Sequence, residues 1–201
     1  MIDCLNVIET AAAGGVIFAT RQIMDDVVCS VWNLYGDPTI ESIAQSLARQ
    51  CRYNGHCRAF YSVAQHSVLV SDQFADPGLA LWGLLHDAAE AWIGDVVRPL
   101  KRMLSVGPPY RSLGWIEQRI LERVAERFGL RGLFVPAEVV EADDRMTVTE
   151  ARDLQPRYAG KMPDVAPYAA RVEPWMHVVA ETRFLRRFAE LDEARKAGRL
   201  L

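Results

Sequence analysis

Cysteine is scarce here. Cys4, Cys29, Cys51 and Cys57 are the only four, and none form a C-x-x-C pair. A chain of 201 residues can bury a sizeable core without staples. Reduced thiols in a cytoplasmic protein are therefore the expectation. Cys51, His56 and Cys57 offer three soft ligands, but no matching second pair follows, so they read as a decoy for zinc. Apolar runs are short as well. None approaches the ~18 residues of a membrane span. The first stretch, MIDCLNVIETAAAGGVIF, lacks any basic residue before Arg21 and is broken by Gly14-Gly15, so it reads poorly as a signal peptide. A surplus of positive charge is also missing. The net charge of −3 gives no general pull toward nucleic acid or an anionic membrane, so any anion binding must be local. Repeats and low-complexity linkers are absent too.

What remains is ordinary globular composition, 50% apolar and 24% charged, and it is patterned for helices. Residues 1–36 are the least legible, with room for one small hairpin. Asp37-Pro38 then gives a start signal, and Ile40, Ile43, Ala44, Leu47 and Ala48 recur at helical spacing. Asn54-Gly55 marks a turn. A helix is expected over 62–74, with Val63, Val70 and Phe74 around His66. Asp76-Pro77 starts the next, which runs to Gly94. Residues 95–110 read as a loop with one short helical turn, rich in Pro and basic residues. Helices are expected over 111–128, with Ile116, Ile120, Val124 and Phe128 inward, and from Pro136 to Leu154. A last one, from Trp175 to about Arg195, would turn Trp175, Val178, Val179, Leu185 and Phe188 inward. The sum is an all-α bundle.

The chemistry concentrates in Leu79 to Asp95, LALWGLLHDAAEAWIGD. A strongly apolar helix ends in His86, Asp87 and Glu90. Burying charged groups there is unfavourable unless something neutralises them. Imidazole and carboxylate are natural ligands of a divalent cation. Glu90 lies four residues after His86 and three after Asp87, so it overlooks the same point. The bland alternative is a half-exposed polar patch at a helix end. His66, in the preceding helix, is either a satisfied core histidine or a ligand. Asp143 is spaced to share a face with Val139, Val140, Met146 and Thr147, and an inward carboxylate again calls for a cation or a donor. Arg98, Lys101 and Arg102 are either a solvated connection or an anion-binding flank.

His66, then His86-Asp87, then Asp143 stand in the order H…HD…D, each part on its own helix. That order resembles the HD-domain metal-dependent phosphohydrolases. The blocks FYSVAQHSVLV, LLHDAAEAWIGDVVRPLK and VVEADDRMTVTEARDL look like the core of one branch, which holds compact bacterial 5′-deoxynucleotidases and phage-borne dATP triphosphohydrolases. The run ARQCRYNGHCRAFYS resembles the lead-in of phage members. The resemblance covers about Ile40 to Leu154. It implies one HD-domain helical bundle over 1–201, with its metal site between helices, a core at about 37–154, and 1–36 and 173–197 as additions.

Carried over by residue, the resemblance implies His66, His86, Asp87 and Asp143 as ligands of one metal ion. Glu90 and Asp95 would be the acidic residues beside the attacking water. Arg52 and Tyr53 would hold phosphate and sugar, and Lys101 a phosphate. Trp32 could stack on a base, although a core position suits it better. Two imidazoles and two carboxylates suit Mn, Co, Fe or Zn better than Mg. Only four histidines occur, too few for a two-metal centre of the kind that cleaves cyclic dinucleotides. The implied activity is hydrolysis of the 5′ phosphate–oxygen bond of a deoxynucleotide. A triphosphate substrate, dATP foremost, would give a deoxynucleoside and triphosphate; a deoxynucleoside monophosphate would give phosphate. A homo-oligomer is implied by the resemblance alone. Other readings stay open: a non-catalytic nucleotide-binding module, which would usually have lost a ligand, and a purely structural bundle, which leaves His86 and Asp143 unexplained.

Overall fold

A computed structural model describes residues 38–104, 112–155 and 162–198. The expected hairpin and Trp32 lie outside these residues. The described residues are helical, joined by turns and irregular segments, with no strand among them; Cys51 and Ser62 form an isolated bridge. None of these helices is long and apolar enough to cross a membrane.

Helix α1 spans Ile40–Arg49 and buries Ile43, Ala44, Leu47 and Ala48 as the spacing requires. Its cap is not Asp37, which lies outside the described residues. Thr39 caps it instead: the Thr39 hydroxyl accepts the Ser42 N–H at 3.1 Å, and Ser42 Oγ accepts the Thr39 N–H at 3.2 Å. Helix α2 spans Val63–Ser71, capped by Ser62, and α3 spans Pro77–Leu85, capped by Asp76 with Pro77 at its first position. Nearly every residue of α2 and α3 is buried, which is why neither shows a polar stripe. Their backbones meet closely at Gly83, where an added Cβ would stand 3.0 Å from the Ser71 Cα. Only glycine permits that approach without displacement of main chain.

The helix expected to continue to Gly94 is interrupted. After Leu85 the chain tightens into i→i+3 bonds: Ala88 N–H to Leu85 at 3.0 Å, Glu90 N–H to Asp87 at 3.0 Å, Ala91 N–H to Ala88 at 3.1 Å. A short α4, Glu90–Ile93, follows, closed by Gly94 at φ +81°. His86 and Asp87 occupy this tightened turn. Helix α5, Arg98–Met103, is the short turn expected in the basic segment. Helix α6, Leu113–Phe128, ends on left-handed Gly129, and α7, Ala137–Leu154, follows Pro136. Along α7, Val139 and Met146 are buried as expected but Val140 is exposed.

The last helix, α8, spans His177–Lys196. Its inward residues differ from the expected stripe. Val178 and Val179 are exposed, whereas Ala180, Phe184 and Leu191 are buried. The helix is rotated so that small Ala180 allows close packing. It lies against α1, α2 and α3. Gln65 of α2 clasps the segment before it. Its amide donates to the Glu173 carbonyl at 2.8 Å and its Oε1 accepts the Trp175 N–H at 2.7 Å. Phe188 of α8 meets Phe128 of α6 edge to face at 5.5 Å.

Candidate metal centre

His66 sits in the middle of α2, with no exposed surface, because its neighbours on every side of that helix are core residues. His86 and Asp87 come from the tightened turn after α3, and Asp143 from α7. The structure brings all four together. His66 Nε2 lies 3.3 Å from His86 Nε2, 3.1 Å from Asp143 Oδ1 and 3.7 Å from Asp87 Oδ2. His86 Nε2 lies 3.4 Å from Asp87 Oδ2 and 4.0 Å from Asp143 Oδ1. Two donors held ~2.1 Å from one ion stand roughly 3.0–4.2 Å apart, depending on the angle between them. These five separations fall within or close to that interval.

The imidazoles are locked for ligation. His66 Nδ1 lies 2.6 Å from Glu150 Oε1, and His86 Nδ1 lies 2.8 Å from the Gly83 carbonyl. A carboxylate and a carbonyl can only accept, so each Nδ1 carries the proton and each Nε2 turns toward the shared centre. His66, His86 and Asp143 offer donor atoms that all lie within 4.8 Å of one another, a set able to hold a metal ion. Asp87 stands beside them but also accepts from Arg52 Nη1 at 3.2 Å, so it links the cluster to a cation of the chain itself.

The electrostatics favour positive charge at this point. Burial and the Arg52 charge push His66 down, yet Glu150 and Asp143 outweigh them and raise it to about 9. A cation would compete with that proton. Burial pushes Asp143 and Asp87 up, but the imidazoles and Arg52 win and hold both carboxylates below their usual range.

Glu90 behaves in the opposite sense. Burial first, then the charges of Asp87 and Asp95, push its carboxyl well above the usual range against the pull of Lys101. Its Oε1 accepts from Lys101 at 3.0 Å. Its Oε2 is buried and finds no hydrogen-bond partner among the described residues. A buried oxygen without a partner is unfavourable unless it meets water or a ligand. The donor atoms of His66, His86 and Asp143 fit a metal ion on their own account.

The remaining expected site residues surround this cluster. Arg52 is buried and also approaches Glu150, Nε to Oε2 at 3.3 Å. Tyr53 and Asn54, at φ 58° and 52°, are left-handed, a costly state for non-glycine residues. Asp95 secures them: its Oδ2 accepts the Tyr53 N–H at 3.2 Å. Asp95 thus supports the loop that carries Arg52. Lys101 is clamped between Glu90 and Glu117, the latter at 2.6 Å, so its charge is already matched. His56 is exposed, and the zinc decoy gathers no further ligand among the described residues.

Sequence reasoning missed Glu150. This fully buried carboxylate meets His66, Arg52 and the hydroxyls of Tyr53 and Tyr61, the last at 2.7 Å. Burial pushes it up, but Arg52 and His66 bring it down to about 2. The signal was present: Glu150 lies seven residues after Asp143, two turns along the same helix face.

Comparison with known proteins sets the chain among relatives. It is 38% identical over 166 residues to the uncharacterized protein YfdR of Escherichia coli, a match covering 81% of this chain and 89% of YfdR. The chain belongs to the YfdR family. A second relative, the uncharacterized protein RCAP_rcc00048 of Rhodobacter capsulatus, is 37% identical over 137 residues, 62% of this chain and 67% of that protein. No family model matches the sequence. The YfdR match is long enough to span far more than the ligand-bearing helices.

Proposed function

We propose that this YfdR-family chain is an HD-type, metal-dependent phosphohydrolase that cleaves the 5′ phosphate–oxygen bond of a deoxynucleotide, with dATP as the favoured triphosphate. One observation carries the reading: two imidazoles, each fixed through Nδ1, converge with Asp143 and Asp87. A structural bundle has no need for that arrangement, and a lapsed module would not keep it whole.

His66, His86, Asp87 and Asp143 would hold one divalent ion, from the Mn, Co, Fe and Zn group. When bound, that ion supplies polarisation of a phosphate and a lowered pKa for a water. The chain's own residues do the rest. The Glu90 carboxyl, held above the usual carboxylate range by burial, would take a proton from that water or deliver one to the departing 5′ oxygen. Arg52, fixed at the cluster by Asp87 and Glu150, offers guanidinium charge to the phosphate. Asp95 keeps the Arg52–Tyr53 turn in its left-handed form. Lys101 holds Glu90 in place and reaches phosphate only by leaving Glu117 or Glu90.

The deciding assay offers dATP, dGTP and each deoxynucleoside monophosphate to purified protein with Mn or Co, and separates the products. Deoxynucleoside plus triphosphate supports the reading. Inorganic phosphate from monophosphates alone moves the substrate to the 5′-deoxynucleotidase class. No turnover with any of them, under full metal occupancy, rejects a hydrolase of this kind.

A further inference from the structure

The loop that carries Arg52 and Tyr53 is bracketed by two thiols. Cys51 and Cys57 are both free and half-buried, and their Sγ atoms lie 3.7 Å apart. Each is tied to a different part of the fold. Around Cys51, the Arg52 N–H bonds the Tyr61 carbonyl at 2.9 Å and the Val63 N–H bonds the Gln50 carbonyl at 3.1 Å, so the start of α2 holds it. Beside Cys57, the Arg58 N–H bonds the Leu154 carbonyl at 2.9 Å, at the end of α7. The five residues between them include the left-handed turn and Arg52. We infer that Cys51 and Cys57 form a reversible dithiol–disulfide pair, oxidised by a low-molecular-weight disulfide, whose closure displaces the Arg52–Tyr53 turn.

The chemistry balances with that oxidant named. The Cys51 thiolate attacks one sulfur of the small disulfide RSSR and expels RS⁻, which takes up a proton, leaving Cys51–S–SR. The Cys57 thiolate then attacks the Cys51 sulfur and expels the second RS⁻. Two thiols and RSSR thus become one protein disulfide and two RSH. The order follows from the environment. Burial, and after it the Cys51 contact, push the Cys57 thiol up to about 11. Cys57 therefore acts second, on a sulfur already delivered to its side.

Closure must bring the sulfurs from 3.7 Å to about 2.05 Å. The ends of the loop are anchored, so the turn between them absorbs the movement. That turn carries the Arg52 contacts to Asp87 and Glu150 and the Tyr53 N–H bond to Asp95. The metal ligands lie on other elements and stay in place. Oxidation therefore changes how the phosphate arm sits without removing the metal.

The full chain, loaded with Mn, is equilibrated with oxidised and reduced glutathione at varied ratios, alkylated and mapped by mass spectrometry. The expected result is a Cys51–Cys57 disulfide that dithiothreitol reverses, with glutathione trapped on Cys51 in Cys57→Ser. Cys51 and Cys57 remaining free, both retaining glutathione, or pairing with Cys4 or Cys29 would overturn the pair. Amide exchange of residues 52–55 is compared in the two forms, and a change there is expected whether or not the protein is a hydrolase. Unchanged exchange overturns the displacement. The consequence for turnover rests on the proposed function: oxidised protein should lose about tenfold or more, since small misplacements of a positioning group have effects of that size. Mn affinity should hold, and Cys51→Ser/Cys57→Ser should ignore the oxidant. A wild-type disulfide that leaves dATP turnover intact breaks the link to the site, whereas a reduced protein without turnover fails the hydrolase reading alone.

Discussion

The candidate metal centre and the loop beside it are built by different means. His66 and Asp143 hang from packed helical backbone and His86 from the tightened turn that follows α3, with α2 and α3 pressed together at Gly83. Arg52 and Tyr53 hang from a turn with three consecutive left-handed residues, held by Asp95 and Glu150. One region gains its precision from main-chain packing. The other gains it from a few side-chain bonds, so it can move without unravelling the core. Glu150 is the joint, since it holds an imidazole on one side and the loop on the other.

The largest effect should come from breaking the packed region. Asp87→Ala is expected to abolish both metal binding, followed by calorimetry, and turnover. Glu90→Gln should separate the two properties: metal retained, turnover down by about 10²–10⁴. Equal loss of metal in both variants would sink the proton-transfer role of Glu90. Glu150→Gln strikes the joint, and metal affinity should fall by about 10–100-fold. The same variant tests a pH dependence. The Glu150 carboxyl is lowered from 4.5 to about 2, so its stabilisation is present above 4.5 and is lost as pH falls through about 2. Acid unfolding of the wild type should carry a slope in that window, and Glu150→Gln should flatten it. The smallest change, Gly83→Ala, should cost about 1–3 kcal/mol in urea unfolding, because its Cβ meets Ser71 main chain. A neutral result would mean that the two helices are not held at that point.

Much of this was legible in the residues, and the exceptions share a cause. Periodicity located α2 and α6, and Asp76-Pro77 and Pro136, which act locally, marked the starts of α3 and α7. The H…HD…D order pointed to four side chains that do meet. The tightened turn at His86–Ala89 was hidden, since HDAAEAW is a good helical sequence and only tertiary contact tightens it. The inward face of α8 was misjudged because Val178 and Val179 are apolar yet exposed, while Ala180 marks the close contact. Glu150 escaped notice because its value depends on partners from three other segments, which no spacing rule connects.

The Gln65 clasp has a temporal side. Gln65 adjoins His66, and its amide is satisfied by Glu173 and Trp175, more than a hundred residues later in the chain. A ribosome delivers the histidine long before it delivers that partner. Those two hydrogen bonds can therefore form only once the segment leading into α8 has been made, so the helix that carries His66 gains its last partners late in synthesis.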